Sequence, residues 1–136
     1  MDFSGKRILF IGFRGKESHL KTARSKGMLL DLMIDASEMR DEYRESFNSV
    51  HVLDDIFDWR QITSATEGTS YDAVLTRFED FTSLVSAVAD HLNLPGVALQ
   101  DAPKFRNKYL MRQAFEEFNV PSADFLLVSS FEEAKP

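Results

Sequence analysis

The loop after the first apolar segment contains the residue types that bind a charged ligand. Residues 12–16 read Gly-Phe-Arg-Gly-Lys and separate an apolar run from a polar, helix-forming segment. Glycine lets a backbone approach a ligand closely, and Arg14 and Lys16 can attract an anion beside Gly15 at a helix N-terminus. The spacing fits neither the dinucleotide fingerprint nor the phosphate loop. A tight turn with two solvated cations is therefore the alternative interpretation.

A lysine at the start of a predicted helix is the second candidate. Lys108 follows Asn107, which is a suitable N-cap, and Arg112 comes one turn later. Helix N-termini favour anions, so a lysine there is electrostatically unfavourable unless a phosphate or similar group compensates for it. The alternative is a lysine whose stem packs at a domain edge while its charge reaches water.

Other polar groups indicate no metal or catalytic centre. Asp54 and Asp55, together with the sequence YDAVLTRFED, are similar to parts of a phosphoacceptor receiver domain. A receiver needs an acidic pair after its first strand, where this chain has Gly-Phe-Arg, and an aspartate where this chain has Arg77. Three histidines lie in separate predicted elements without ligand spacing: His19, His51 and His91.

Composition limits the partners and the cellular setting. The chain has 136 residues, a net charge of −6 and no cysteine, and 43% of its residues are hydrophobic. The negative charge argues against a general nucleic-acid binder. No segment approaches the ~20 apolar residues of a membrane span, and the N-terminus lacks the apolar core of a signal peptide. A reducing, cytoplasmic location is expected.

Apolar runs separated by amphipathic segments predict an α/β fold. Strands are predicted at 8–11, 28–34, 49–53 and 72–78, with a short fifth strand at 97–99. Helices are predicted at 17–26, after Asp58 and over 84–92, where the apolar stripe is clearest. Alternation of this kind implies a mainly parallel sheet covered by helices on both faces, in three layers.

The last thirty residues predict a helix, a strand and the beginning of another helix. Asn107 starts the first helix, Asn119 and Pro121 end it, and residues 125–128 form the strand. The final helix would begin after Ser130 and would have only a few residues. Because so short a helix cannot offset the cost of nucleation, the chain is expected to be truncated early in a second domain.

Residues 92–134 resemble the junction between the first and second domains of ATP-grasp enzymes. The shared features are Leu-Pro-Gly after a helix, a lysine at a helix start, Asn-Val-Pro, a strand and a Ser-x-x-Glu-Ala segment. The resemblance implies a Rossmann-like pre-ATP-grasp domain over 1–100, linking helices over 101–121 and the start of a truncated ATP-grasp domain over 122–136.

The resemblance also implies roles for individual residues. Lys108 matches the family lysine that helps to hold the ATP phosphates, although Asn107 stands where the family has aspartate. Glu79 resembles an acidic residue at the cleft of some members. The loop that carries Arg14, Gly15 and Lys16 matches the loop that borders the acceptor-substrate pocket. No catalytic residue and no metal ligand are implied within this chain.

The implied function is that of the N-terminal domain of an ATP-dependent ligase, inactive alone. Such enzymes phosphorylate a carboxylate and let an amine or similar nucleophile attack the acyl phosphate, with ATP and Mg²⁺ as cofactors of the full-length enzyme. The partners would be an amino acid or other carboxylate, the remaining domains of the same chain and, in a homodimer, a second copy. Biotin carboxylation, dipeptide ligation and purine-pathway ligation stay open. A stand-alone Rossmann-like binding or regulatory module without catalysis is the alternative.

Overall fold

The first apolar run forms an inner strand of a four-stranded sheet in the computed structural model, which describes residues 2–15 and 17–135. The strand order is β3-β2-β1-β4, and all three described strand pairings are parallel. The strands are β1 (Arg7–Ile11), β2 (Leu29–Asp35), β3 (Ser49–Leu53) and β4 (Ala73–Leu75). Mainly apolar runs, interrupted in β2 by Asp31, suit β1 and β2 because both faces of an inner parallel strand are buried.

Helices cover both faces of this sheet. The α-helices are α1 (Glu17–Ser25), α2 (Asp41–Ser46), α3 (Trp59–Thr66), α4 (Thr82–His91) and α5 (Lys108–Glu117). Short 3-10 helices occupy Ala36–Glu38, Glu79–Phe81 and Ala102–Phe105. Three layers result, which confirms the predicted α/β architecture with a parallel sheet.

Alternate residues of each strand contribute side chains to two separate hydrophobic cores. Leu9 and Ile11 of β1 belong to the core formed with α3 and α4, where Ile62 and Val88 are fully buried. Ile8 belongs to the other core, which includes residues of α1 and α2. The two-residue side-chain period of a strand explains why neighbouring residues enter opposite cores.

The predicted helix boundaries depend on capping residues that the structure confirms. Gly27 follows α1 with a φ of 77°, and Asn119 follows α5 with a φ of 54°. The Asp58 side chain caps α3 by accepting the backbone N–H of Arg60 at 2.9 Å. Side-chain oxygens satisfy first-turn N–H groups that have no partner inside a helix.

Two predicted strands are wrong. Residues 97–99 form no strand, because the carbonyl of Ala98 accepts the N–H groups of Asp101 and Ala102 in a local turn. Residues 125–128 form no strand in the described chain, and Leu126 is 79% exposed. Residues 131–134 form a turn rather than a helix, in which Ser130 Oγ accepts the N–H of Glu133 at 3.3 Å. A strand needs a partner to satisfy its backbone, and the described residues provide none here.

The structure also contains elements that the sequence pattern did not predict. Helix α2 and the 3-10 helices at Ala36–Glu38 and Glu79–Phe81 are too short to show a helical apolar period. The division of the chain at residues 100 and 121 stays a prediction. None of the helices in the described part of the chain has the length and apolarity that a membrane crossing requires.

Candidate functional site

The carboxyl ends of β1 and β2 meet the loop after β4 around a cavity of about 130 Å³. Its apolar wall includes Ile34, Ile56 and Phe81, and its polar wall includes Arg14 and Glu38. Ligands of open parallel sheets bind outside the carboxyl ends of the strands. The cavity therefore lies where this architecture positions a ligand.

The turn after β1 depends on two glycines. Gly12 has a φ of 67°, and a Cβ atom at this position would lie 2.4 Å from the Phe81 ring. A Cβ atom on Gly15 would lie 2.7 Å from the Phe13 ring and 2.8 Å from an Arg77 nitrogen. Neither position accepts a side chain without displacing its neighbours, so glycine allows the loop to pass close under the aromatic rings.

Arg14 forms an ion pair with Glu38 at the mouth of the cavity. Its Nε lies 3.0 Å from Glu38 Oε2, and its second guanidinium contact is to Oε1 of the same carboxylate. The guanidinium also lies 5.6 Å from the centre of the Phe78 ring. These hydrogen bonds raise the pKa of Arg14 and lower the pKa of Glu38. Both side chains remain largely accessible, at 60% and 42% exposure.

Lys108 lies beside Glu79, the acidic residue that the resemblance placed at the cleft. Asn107 caps α5 by accepting the N–H groups of Tyr109 at 3.0 Å and Leu110 at 3.2 Å. Lys108 Nζ lies 3.7 Å from Glu79 Oε1, and these side chains are 72% and 62% exposed. The structure therefore brings together two residues that the sequence separates by 29 positions, at the 3-10 helix that follows β4.

A second ion pair links the start of α5 to the cavity. Arg106 Nη2 lies 2.6 Å from Asp80 Oδ1, and Asp80 lines the cavity next to Glu79. The first residues of α5 thus lie at the rim of the strand-end crevice. Phe78, which contacts Arg14, is the residue before Glu79, so both groups of candidates border the same loop.

Lys16, the remaining candidate of the first loop, lies outside the described residues. Several residues near the cavity were not predicted. Sequence reasoning missed Glu38 and Asp80, although each follows a strand end closely enough to have been considered. It also assigned no role to Arg77, whose Nη1 lies 2.7 Å from His19 Nδ1.

The acidic pair that favoured a receiver domain has local roles. The backbone N–H of Asp54 donates to Gln61 Oε1 at 2.8 Å, and an Asp55 carboxylate oxygen accepts the N–H of Phe57 at 2.8 Å. Among residues 2–15 and 17–135, no three histidine, aspartate or glutamate side chains are grouped so that they could hold a metal ion.

Comparisons of sequence identify no relative, whereas comparisons of structure do. No family model matches the chain, and no curated protein matches it. The fold is similar to an L-amino acid ligase from Bacillus licheniformis, with a TM-score of 0.71 and 19% identity over 85% of this chain and 31% of that one. It is also similar to a phosphoribosylglycinamide synthetase from Anaerococcus prevotii, with a TM-score of 0.73 and 21% identity over 96% of this chain and 33% of that one.

A third solved structure is the ADP complex of PurK, an N5-carboxyaminoimidazole ribonucleotide synthetase. Its TM-score is 0.73, with 21% identity over 97% of this chain and 34% of that one. The chain spans about a third of the length of each of these three proteins. They are ATP-grasp enzymes, and at this level of identity the likeness shows the fold, which is that of their N-terminal part. The predicted resemblance is confirmed at the level of the fold.

Proposed function

We propose that this chain, which has the fold of the N-terminal part of ATP-grasp enzymes, is the N-terminal domain of an ATP-dependent ligase. The ligase would activate a carboxylate as an acyl phosphate, which an amine or similar nucleophile then attacks. ATP and Mg²⁺ would act in the full-length enzyme, where metal neutralises the phosphates during transfer. The chain alone would bind neither tightly and would not turn over. Cytoplasmic location and dimerisation belong to the same proposal.

One observation supports this function most directly. Lys108 lies at the first residue of α5, beside Glu79 in the 3-10 helix after β4, in a fold shared with one ligase and two synthetases. The ion pair of 3.7 Å is loose and solvent-exposed, so Lys108 can leave Glu79 for a phosphate at little cost. The dipole at the N-terminus of α5 would favour the same phosphate, although the Asn107 side chain already accepts the N–H groups of Tyr109 and Leu110.

The other predicted residues would contribute to substrate binding. Glu79, once released by Lys108, would attract the ammonium group of an amino substrate. Gly15 would let the loop backbone approach the ligand, and Arg14 and Lys16 would orient an anionic group of the substrate. Arg14 is already neutralised by Glu38, so binding an anion requires that ion pair to open.

The test uses the full-length protein that carries this chain. Lys108→Ala is expected to raise the KM for ATP at least about tenfold, which corresponds to ~1.4 kcal/mol of lost binding. The measurement is ADP release in the presence of a panel of amino acids and other carboxylates. Lys26→Ala is the matched control, because Lys26 lies over the Phe3 ring at the opposite end of the sheet.

Two results would contradict the proposal. An unchanged KM and kcat in the Lys108→Ala variant would remove Lys108 from ATP binding. Absence of ADP release with every amine and carboxylate tested would instead favour the non-catalytic binding or regulatory module.

A further inference from the structure

Helix α5, which has Lys108 as its first residue, has little packing to hold it in place. None of its ten residues, all of which the structure describes, is buried. The 3-10 helix Ala102–Phe105 contacts both α5 and α4. Because a helix of this length is held in place mainly by tertiary contacts, the position of its first turn depends on the few contacts made there.

Two ion pairs connect the start of α5 to the 3-10 helix that follows β4, and they differ in length. Arg106 Nη2 lies 2.6 Å from Asp80 Oδ1, which is direct contact. Lys108 Nζ lies 3.7 Å from Glu79 Oε1, which is beyond the length of a hydrogen bond. The Arg106 ion pair can therefore hold the helix start, while Lys108 stays free to exchange its partner.

The carboxylate that contacts Arg106 stands on a well-packed element. Asp80 is followed by Phe81, whose ring lies 5.8 Å from the ring of Phe78 and packs against the buried core beneath α4. The packing is so close that a Cβ atom on Gly12 would lie 2.4 Å from the Phe81 ring. The Asp80 backbone is therefore fixed, and its ion pair with Arg106 ties the start of α5 to this core.

We infer that Asp80 and Arg106 are positioning residues that hold Lys108 at the strand-end crevice. Arg106 is two residues before Lys108, and the N-cap Asn107 lies between them. Fixing the Arg106 side chain therefore limits where the lysine stem begins. Neither member of this ion pair needs to contact a ligand. The inference rests on the proposed function, because it takes Lys108 as the residue that contacts the ATP phosphates.

Asp80→Asn separates positioning from simple electrostatics, because the two predict opposite signs. Removal of a carboxylate near a phosphate reduces repulsion and frees Arg106 to attract the phosphate, so electrostatics alone would lower the KM for ATP. Loss of position would raise it. In the full-length protein that carries this chain, we expect Asp80→Asn to raise the KM for ATP about threefold, within the range that an exposed ion pair supplies, and to change kcat less.

Combination with Lys108→Ala tests whether the effect passes through the lysine. Without the lysine its position no longer matters, so Asp80→Asn is expected to leave the KM of the Lys108→Ala variant unchanged. A contact between Asp80 and the nucleotide itself would instead persist in that background. Arg106→Lys keeps the positive charge opposite Asp80 and is expected to keep the KM within about twofold of the wild-type value.

Asp101→Asn is the matched control. It removes the charge of another exposed aspartate, whose ion pair with Lys104 at 2.7 Å lies three residues along the same segment. We expect it to leave the KM for ATP unchanged. Order parameters of the backbone N–H groups of residues 107–109, measured by NMR relaxation on the 136-residue chain, give a second readout. They are expected to fall below the rigid value of about 0.85 in Asp80→Asn and to stay there in Asp101→Asn.

Three outcomes would overturn the inference. They are an unchanged or lowered KM in Asp80→Asn, an increase that persists in the Lys108→Ala background, and order parameters that Asp80→Asn leaves unchanged. The inference and the proposed function fail separately. Absence of ADP release would remove the ligase, while the order parameters would still decide whether Asp80 holds the helix start. ADP release that Asp80→Asn does not affect would remove the inference alone.

Discussion

Charged side chains are arranged differently in the Asp31 network, towards the amino-terminal end of the sheet, and at the carboxyl end. Towards the amino-terminal end, the fully buried Asp31 binds Arg7 Nε at 2.8 Å and the hydroxyl of Tyr71 at 3.2 Å, and that hydroxyl also lies 3.4 Å from His51 Nε2. At the carboxyl end, the Arg14–Glu38 ion pair and similar ion pairs are exposed to solvent beside a cavity. The Asp31 network is closed, whereas the pairs at the carboxyl end are separate and accessible, as is the Lys6–Asp72 pair at the amino-terminal end.

This difference separates stability from binding. A buried charge that loses its partner is poorly solvated, so breaking the Asp31 network is expected to cost stability. An exposed pair contributes little to stability because water screens it and solvates either partner. The carboxyl end can therefore exchange its internal ion pairs for a ligand, whereas the Asp31 network cannot.

The largest expected effect is at the buried network. Asp31→Asn keeps the shape of the side chain and removes the charge that faces Arg7 and Tyr71. We expect it to lower the free energy of unfolding by about 3 kcal/mol, the lower part of the range for a broken buried pair, because Arg7 reaches solvent. Urea unfolding followed by circular dichroism measures the change.

A matched substitution at the other end provides the control. Glu38→Gln also converts a carboxylate that binds an arginine into an amide, and we expect no measurable change in the urea midpoint. Equal losses in the two variants would contradict the division between the two ends.

Alkaline pH sharpens the same comparison. Burial raises the pKa of Tyr71 to about 12, from an ordinary value of 10.0, and the charge of Asp31 adds to this effect. The unfolded chain therefore releases the Tyr71 proton at a lower pH than the folded chain does. The stability that Tyr71 contributes is complete below pH 10 and is lost as pH rises through about 12. We expect wild-type protein to lose about 2 kcal/mol more than Tyr71→Phe across this window.

Unfolding by urea at several pH values between 9 and 12 is the measurement. Tyr109→Phe removes a tyrosine whose hydroxyl accepts a hydrogen bond from the Gln113 side chain in α5. It is expected to leave the alkaline loss of the wild type in place. Parallel stability curves for wild type and Tyr71→Phe would show that the Tyr71 hydroxyl is not held in a buried network.

The first three strands of the sheet were predicted well because each can be recognised from its own local sequence. Runs of apolar residues bounded by glycine or aspartate gave the positions of β1, β2 and β3 to within about two residues, whereas the strand predicted at 72–78 is shorter and ends at Leu75. The predicted strands at 97–99 and 125–128 failed because pairing depends on partners that local sequence does not reveal. Helix α2 was missed because six residues are too few for a visible helical period.

The candidate site also contains residues that the sequence singled out and contacts that only the fold reveals. The resemblance singled out Lys108 and Glu79 separately, and only the fold shows that they meet. Glu38 was missed because its position shortly after a strand end is a weak signal until its partner Arg14 is known. Asp31 was read as part of an apolar strand, although a charged residue within such a run indicates a buried partner.

The smallest expected effect concerns the ion pair that supports the proposed function. Lys108→Gln and Glu79→Gln each remove one charge from a pair whose atoms are 3.7 Å apart and whose side chains are mostly exposed. Because water solvates the remaining charge, we expect both variants to unfold at the wild-type temperature, at low and at high salt. Differential scanning calorimetry provides the measurement. A clear loss in either variant would mean that Lys108 holds α5 against the end of β4, and its charge would then not be available to a phosphate.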